Sequence, residues 1–177
     1  SPDGELLLTS SWDQTAVLWD PVTGVPQQTL RHPEWMRCAV FSPDGEFVAT
    51  GCDDGGIRVW QRPFVGEPIR MFRHHERVFQ LVFSRDGQKL ASASGDRTAR
   101  VWDLKSGLPV TSALAHDESV RALAFSSDGK ILLTAGEDRT ARLWDVQSGL
   151  PLAPPMRQGK QVEAVAFSPD GSRAITA

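Results

Sequence analysis

The stretch from His116 to Asp145 reads HDESVRALAFSSDGKILLTAGEDRTARLWD. Val120 to Phe125 is a short apolar run that leads into Ser126-Ser127-Asp128-Gly129, where the Asp-Gly pair marks a hairpin turn. Lys130 to Thr134 reads as a second strand and Thr140 to Trp144 as a third. A Ser148-Gly149 turn then precedes a fourth, Leu150 to Leu152, which the following prolines weaken as an edge. No segment of the chain keeps apolar residues at helical spacing over the ~11 residues needed to identify a helix.

The same unit recurs along the chain. Its turn stands at Ser1-Pro2-Asp3-Gly4, Ser42-Pro43-Asp44-Gly45, Ser84-Arg85-Asp86-Gly87, Ser126-Ser127-Asp128-Gly129 and Ser168-Pro169-Asp170-Gly171, so that the serines step by 41, 42, 42 and 42 residues. Trp19, Trp60, Trp102 and Trp144 keep the same interval, stepping by 41, 42 and 42. Asp20, Asp103 and Asp145 follow three of these tryptophans, and Gln61 follows the other. Two residue types on one period define an internal repeat, and four short strands per ~42 residues is the pattern of a propeller blade.

On these residues the chain resembles the WD-repeat (Trp-Asp repeat) family of β-propellers over nearly its whole length. The expected fold is all-β: four-stranded antiparallel blades over 31–73, 74–115 and 116–157, with partial blades at 1–30 and 158–177. The resemblance implies a hydrogen-bonded tetrad inside each blade. Its members would be His32, Thr50, Asp54 and Trp60, then His74, Ser92, Asp96 and Trp102, then His116, Thr134, Asp138 and Trp144. Thr9, Asp13 and Trp19 would form the part of a tetrad that the first copy holds, and Gln158 replaces the histidine of the last. The glycine that often precedes this histidine in the family is replaced by Arg31, Arg73 and Ala115.

A single copy such as His116, Thr134 and Asp138 could pass for a hydrolase triad. Its recurrence at fixed offsets argues for structure instead, because nucleophilic catalysis needs one positioned set. No phosphate-binding glycine loop, nucleophile elbow or His-Glu-x-x-His motif is present. His74-His75-Glu76 is weak as a metal site, since neighbours on a strand point apart. No catalytic residue, metal or cofactor is expected.

The resemblance also implies where a partner would sit: on the face where each first strand begins, six and four residues before the strand-ending phenylalanine and one before the tetrad aspartate. Here these positions hold Trp35, Arg37 and Asp53; Arg77, Phe79 and Gly95; and Ser119, Arg121 and Glu137. The partial copies add Trp12, Gln161 and Glu163. Tryptophan, phenylalanine and arginine are enriched at binding hot spots, and Trp12 and Trp35 lie off the tryptophan interval. Both could also merely cover local turns. Arg97, Arg100, Arg139 and Arg142 form a second cluster, read as solvated or paired with nearby aspartates.

Composition narrows the function classes. The chain has 177 residues, 22 acidic against 19 basic side chains and a net charge of −3, which argues against a generally basic nucleic-acid or anionic-membrane surface. Cys38 and Cys52 are too few for a disulfide framework and are expected to be buried free thiols. There is no membrane-length apolar run, no signal sequence and no Asn for N-glycosylation, so a soluble, cytoplasmic protein is expected. The opening at a turn and the end within a second strand suggest a fragment of a longer, bacterial protein whose open edges pair with further repeats or another chain. The expected function is a non-catalytic scaffold that binds a protein or peptide. The alternative is a repeat region appended to a multidomain enzyme, such as a bacterial Ser/Thr protein kinase, with its catalytic domain elsewhere.

Overall fold

The computed structural model describes residues 1–177. All of its regular structure is β, in five antiparallel sheets. The first holds β1 (Leu7–Ser10), β2 (Thr15–Trp19) and β3 (Pro26–Arg31). Three four-stranded sheets follow. They comprise β4 (Met36–Phe41), β5 (Phe47–Cys52), β6 (Gly56–Gln61) and β7 (Arg70–Arg73); β8 (Val78–Phe83), β9 (Lys89–Ser94), β10 (Thr98–Asp103) and β11 (Leu114–Ala115); and β12 (Val120–Phe125), β13 (Ile131–Gly136), β14 (Thr140–Asp145) and β15 (Met156–Arg157). The last sheet pairs β16 (Val165–Phe167) with β17 (Ala174–Thr176). Within each four-stranded sheet the order in space is the order in sequence, so every connection is a hairpin.

The core lies between sheets, and period-two alternation splits each strand between two neighbours. Val48 faces Leu18, Met36 and Trp60 in the layer between the first and second sheets, while the next residue, Ala49, joins Val78, Leu81 and Trp102 in the layer beyond. Leu90 and Ala91 divide in the same way, as do Leu132 and Leu133. Trp60, Trp102 and Trp144 therefore pack toward the preceding sheet, with alanines on the opposite face making room for the next. Trp102, 5% exposed, also stacks on Phe72 at 4.8 Å. Burial of ~200 Å² per indole at ~25 cal/mol per Å² gives about 5 kcal/mol as an upper bound.

The repeated turn is self-satisfying. In Ser42-Pro43-Asp44-Gly45, the Ser42 hydroxyl donates to Asp44 Oδ1 at 2.5 Å and accepts from the Phe47 amide at 2.9 Å. Asp44 accepts from the Glu46 amide, and Gly45 takes φ 75°, where a side chain would be strained. Ser84, Ser126 and Ser168 repeat these contacts. The aspartate after the periodic tryptophan caps the following turn: Asp145 accepts from the amide and the hydroxyl of Ser148, each at 2.7 Å. Where Gln61 replaces it, the turn closes instead through the Phe64 amide, and the Phe64 ring is buried against Phe41.

One expected strand is misplaced. Leu150–Leu152 makes only an isolated bridge, Pro151 to Trp144, and the edge strand of its sheet is Met156–Arg157. Pro151 within that run, and Pro154 and Pro155 after it, lack the amide that a ladder needs. No helix is long and apolar enough to cross a membrane.

Candidate functional site

The histidines, hydroxyls and aspartates of the repeat meet inside the sheets. His116 donates from Nδ1 to Asp138 Oδ2 at 2.9 Å, and its Nε2 lies 2.8 Å from Thr134 Oγ1. Thr134 also accepts from Trp144 Nε1 at 2.8 Å. In the sheet before, His74 Nδ1 donates to Asp96 at 2.9 Å, His74 Nε2 meets Ser92 Oγ at 2.7 Å, and Trp102 Nε1 donates to Ser92 at 2.9 Å. Ser92 and Thr134 are completely buried, so neither hydroxyl can reach a substrate. Burial opposes ionisation of Asp96, but donors from His74, Thr98 and the His75 amide outweigh it and hold the carboxyl well below its usual range. Burial pushes the His116 pKa down, with Asp138 opposing.

The copy containing His32 is built differently. His32 Nε2 lies 2.9 Å from Thr50 Oγ1 and Trp60 Nε1 donates to the same hydroxyl at 3.2 Å, yet His32 Nδ1 donates to the Leu30 carbonyl at 3.1 Å. Asp54 instead accepts from Arg58 at 2.8 Å. Two donors that hold the other aspartates are missing here. The residue after the histidine, whose amide reaches Asp96 and Asp138 in the other copies, is Pro33; the position of Thr98 and Thr140, whose hydroxyls do the same, is Gly56. In the partial copies, Trp19 donates to Thr9 at 2.8 Å while Asp13 binds only Thr15 and Ser11 locally, and Gln158 Nε2 donates to Thr176 at 2.6 Å in place of a histidine.

The partner-face positions are set by a recurring irregularity. Register shifts between Met36 and Cys38, between Val78 and Gln80, and between Val120 and Ala122 leave Arg37, Phe79 and Arg121 without a partner on the next strand. Such bulges re-aim a side chain, and here all three join the rim. Arg37 grips Asp53 with two hydrogen bonds, of 2.6 and 2.9 Å, and its guanidinium lies 5.5 Å from the Trp12 ring. Arg121 is held by Glu137, through Nε at 2.8 Å and through Nη2, and lies 3.9 Å above Phe79. The side-chain bonds from Arg37 and Arg121 lower the pKa of Asp53 and Glu137 respectively. Trp35 stacks on Trp12 at 5.6 Å with 12° between planes, and the two remain 47% and 64% exposed. Arg77 is exposed, and Gly95 leaves no carboxylate opposite it in its own sheet.

Of the second arginine cluster, Arg97 and Arg139 are exposed in turns, while Arg100 and Arg142 lie against the sheets. Arg142 donates to the Ala115 carbonyl, Asp117 and Asp138, and Arg100 lies 5.8 Å from the Trp102 ring. No group of three or more His, Cys, Asp or Glu is placed to hold a metal ion.

A family model described as "WD domain, G-beta repeat" (WD40) matches residues 1–20, 24–61, 66–103 and 107–145, well over half of the chain. The chain belongs to the WD40 repeat family. Among curated proteins, its WD40 repeats are 42% identical over 55 residues to the 2-deoxy-glucose resistant protein 2 of Saccharomyces cerevisiae, covering 30% of this chain and 6% of that protein. They are 42% identical over 55 residues to the coronin-like protein of the same yeast, covering 31% and 8%. They are 40% identical over 58 residues to the nuclear distribution protein PAC1 of Arthroderma otae, covering 32% and 13%. The match thus spans only a small part of each of these relatives.

Proposed function

We propose that these WD40 repeats form a non-catalytic scaffold that binds a protein or peptide through the rim carrying Trp12, Trp35, Arg37, Asp53, Arg77, Phe79, Arg121 and Glu137. The observation that carries this reading is the exposed Trp12–Trp35 stack, two large apolar side chains left in solvent beside a carboxylate-held arginine. Exposed aromatic patches of this kind mark interaction sites. The rim is also rigid. Bulges aim its side chains and ion pairs hold them, so a partner loses little ordering entropy when it docks. The same reading places the protein in the cytoplasm, where the free thiols Cys38 and Cys52 stay reduced.

The test is selection of random displayed peptides on the protein, followed by titration against the double variant Trp12→Ala, Trp35→Ala. Peptides that bind the wild type and lose at least about tenfold on the variant support the reading. A selection in which every peptide binds both proteins equally removes it.

A further inference from the structure

Three exposed or partly exposed aromatic rings stand on the rim: Trp12, Trp35 and Phe79. Two of them carry the same device. Arg37, held by Asp53, lies over Trp12, and Arg121, held by Glu137, lies over Phe79. In each, a carboxylate fixes a guanidinium against an aromatic face. Trp35 is the exception. One of its faces is taken by Trp12, no cation of the chain lies over it, and almost half of its surface is open. The residue before it, Glu34, is exposed and joins no ion pair. Trp35 and Glu34 are thus an open aromatic ring and an unpaired carboxylate adjacent in the chain, with no guanidinium of the chain on that ring.

We infer that the partner supplies it: the rim takes a peptide arginine whose guanidinium stacks on the open face of Trp35 and pairs with Glu34. The completed site joins the Asp53–Arg37 pair beside Trp12, Trp35 stacked on Trp12, and the partner arginine on Trp35 with Glu34 as its counter-ion. A planar guanidinium suits this slot better than an ammonium, because it stacks on an aromatic face while its edge stays free for a carboxylate. The charge is complementary as well, since Arg37 is already neutralised by Asp53 and Glu34 is not neutralised at all. This inference rests on the binding reading above and adds the chemistry of the ligand.

The experiment uses the displayed peptides selected on the intact protein. Each peptide that depends on Trp35→Ala is resynthesised with every arginine changed singly to citrulline and to lysine, and titrated against wild type and Glu34→Gln. The expected result is one arginine per peptide whose change to citrulline weakens binding roughly five- to thirtyfold. Lysine should recover only part of that loss, and Glu34→Gln should weaken the arginine peptide while leaving the citrulline peptide unchanged. Trp35-dependent peptides that tolerate citrulline at every position overturn the inference and leave the binding rim standing. Equal binding of the lysine peptides overturns the guanidinium assignment. An absence of any peptide that depends on Trp12 or Trp35 defeats the underlying reading instead.

Discussion

His32 and Asp54 occupy the positions that join in the other copies of the repeat, yet the imidazole donates to the Leu30 carbonyl and the carboxylate turns to Arg58. The change has a cost in charge. Burial, with Arg58 adding to it, pushes the His32 pKa from its ordinary 6.5 down to about 4. Between those values the unfolded chain binds more protons at this site than the folded one, so stability falls as pH falls. The contribution is complete above about pH 6.5 and is lost as pH drops toward 4. At ~1.4 kcal/mol per unit it amounts to about 3.5 kcal/mol at most. Urea unfolding at pH 7.5 and 4.5 should show this loss in the wild type and a smaller one in His32→Gln. Gln158 already makes the corresponding hydroxyl contact to Thr176, so glutamine keeps the bond without the titration. His116, also shifted down by burial, contributes in the same direction and leaves some slope in the variant.

Asp138 is the hub of its sheet. It accepts from His116, Thr140 and Arg142 and from the amides of Asp117 and Thr140. Asp138→Ala strips a partner from several groups at once, and a bared buried donor costs about 1–3 kcal/mol. Chemical denaturation should register a loss at or above the upper end of that range. Trp144→Phe removes a single indole donor to Thr134 and should cost less than Asp138→Ala.

The period of ~42 residues made the strands, the turns and the all-β architecture legible, because Ser-x-Asp-Gly and tryptophan fall on one interval. The sequence pattern did not disclose the bulges at Arg37, Phe79 and Arg121, since an extra residue in a strand leaves alternation almost intact. Family offsets pointed to those residues without saying what frees them. The rearranged His32 copy did leave a trace, in Pro33 and Gly56, two residues that cannot donate what their counterparts donate. The edge strand falls at Met156–Arg157 and not at Leu150–Leu152, because the prolines weaken the earlier run without indicating where pairing resumes.

Gly55, Arg97 and Arg139 occupy one turn position, each at positive φ: 77°, 67° and 62°. A Cβ on Gly55 would stand 2.5 Å from the carbonyl oxygen of His74, closer than real contacts allow. Gly55→Ala should therefore cost about 1–3 kcal/mol, from left-handed strain and the clash together. Arg97→Gly relieves the strain without removing a hydrogen bond from the Arg97 side chain, and should gain up to about 1 kcal/mol. Thermal melts of both variants check the opposite signs.

The tryptophans on and off the repeat interval should separate by their effects. Trp102, 5% exposed, lies between two sheets against Phe72 and donates to Ser92. Trp102→Ala leaves a large cavity and takes one of two partners from the Ser92 hydroxyl, which keeps His74, and should cost about 3–5 kcal/mol. Trp35, 47% exposed, contacts Trp12 in solvent, and its backbone carbonyl, which accepts from Asp53, survives substitution. Trp35→Ala should cost less than about 1 kcal/mol, on the scale of one aromatic pair. Denaturant midpoints for the two variants decide the matter. A Trp35→Ala loss comparable to that of Trp102→Ala would make the exposed stack a structural clamp and take away the reason to assign it to recognition.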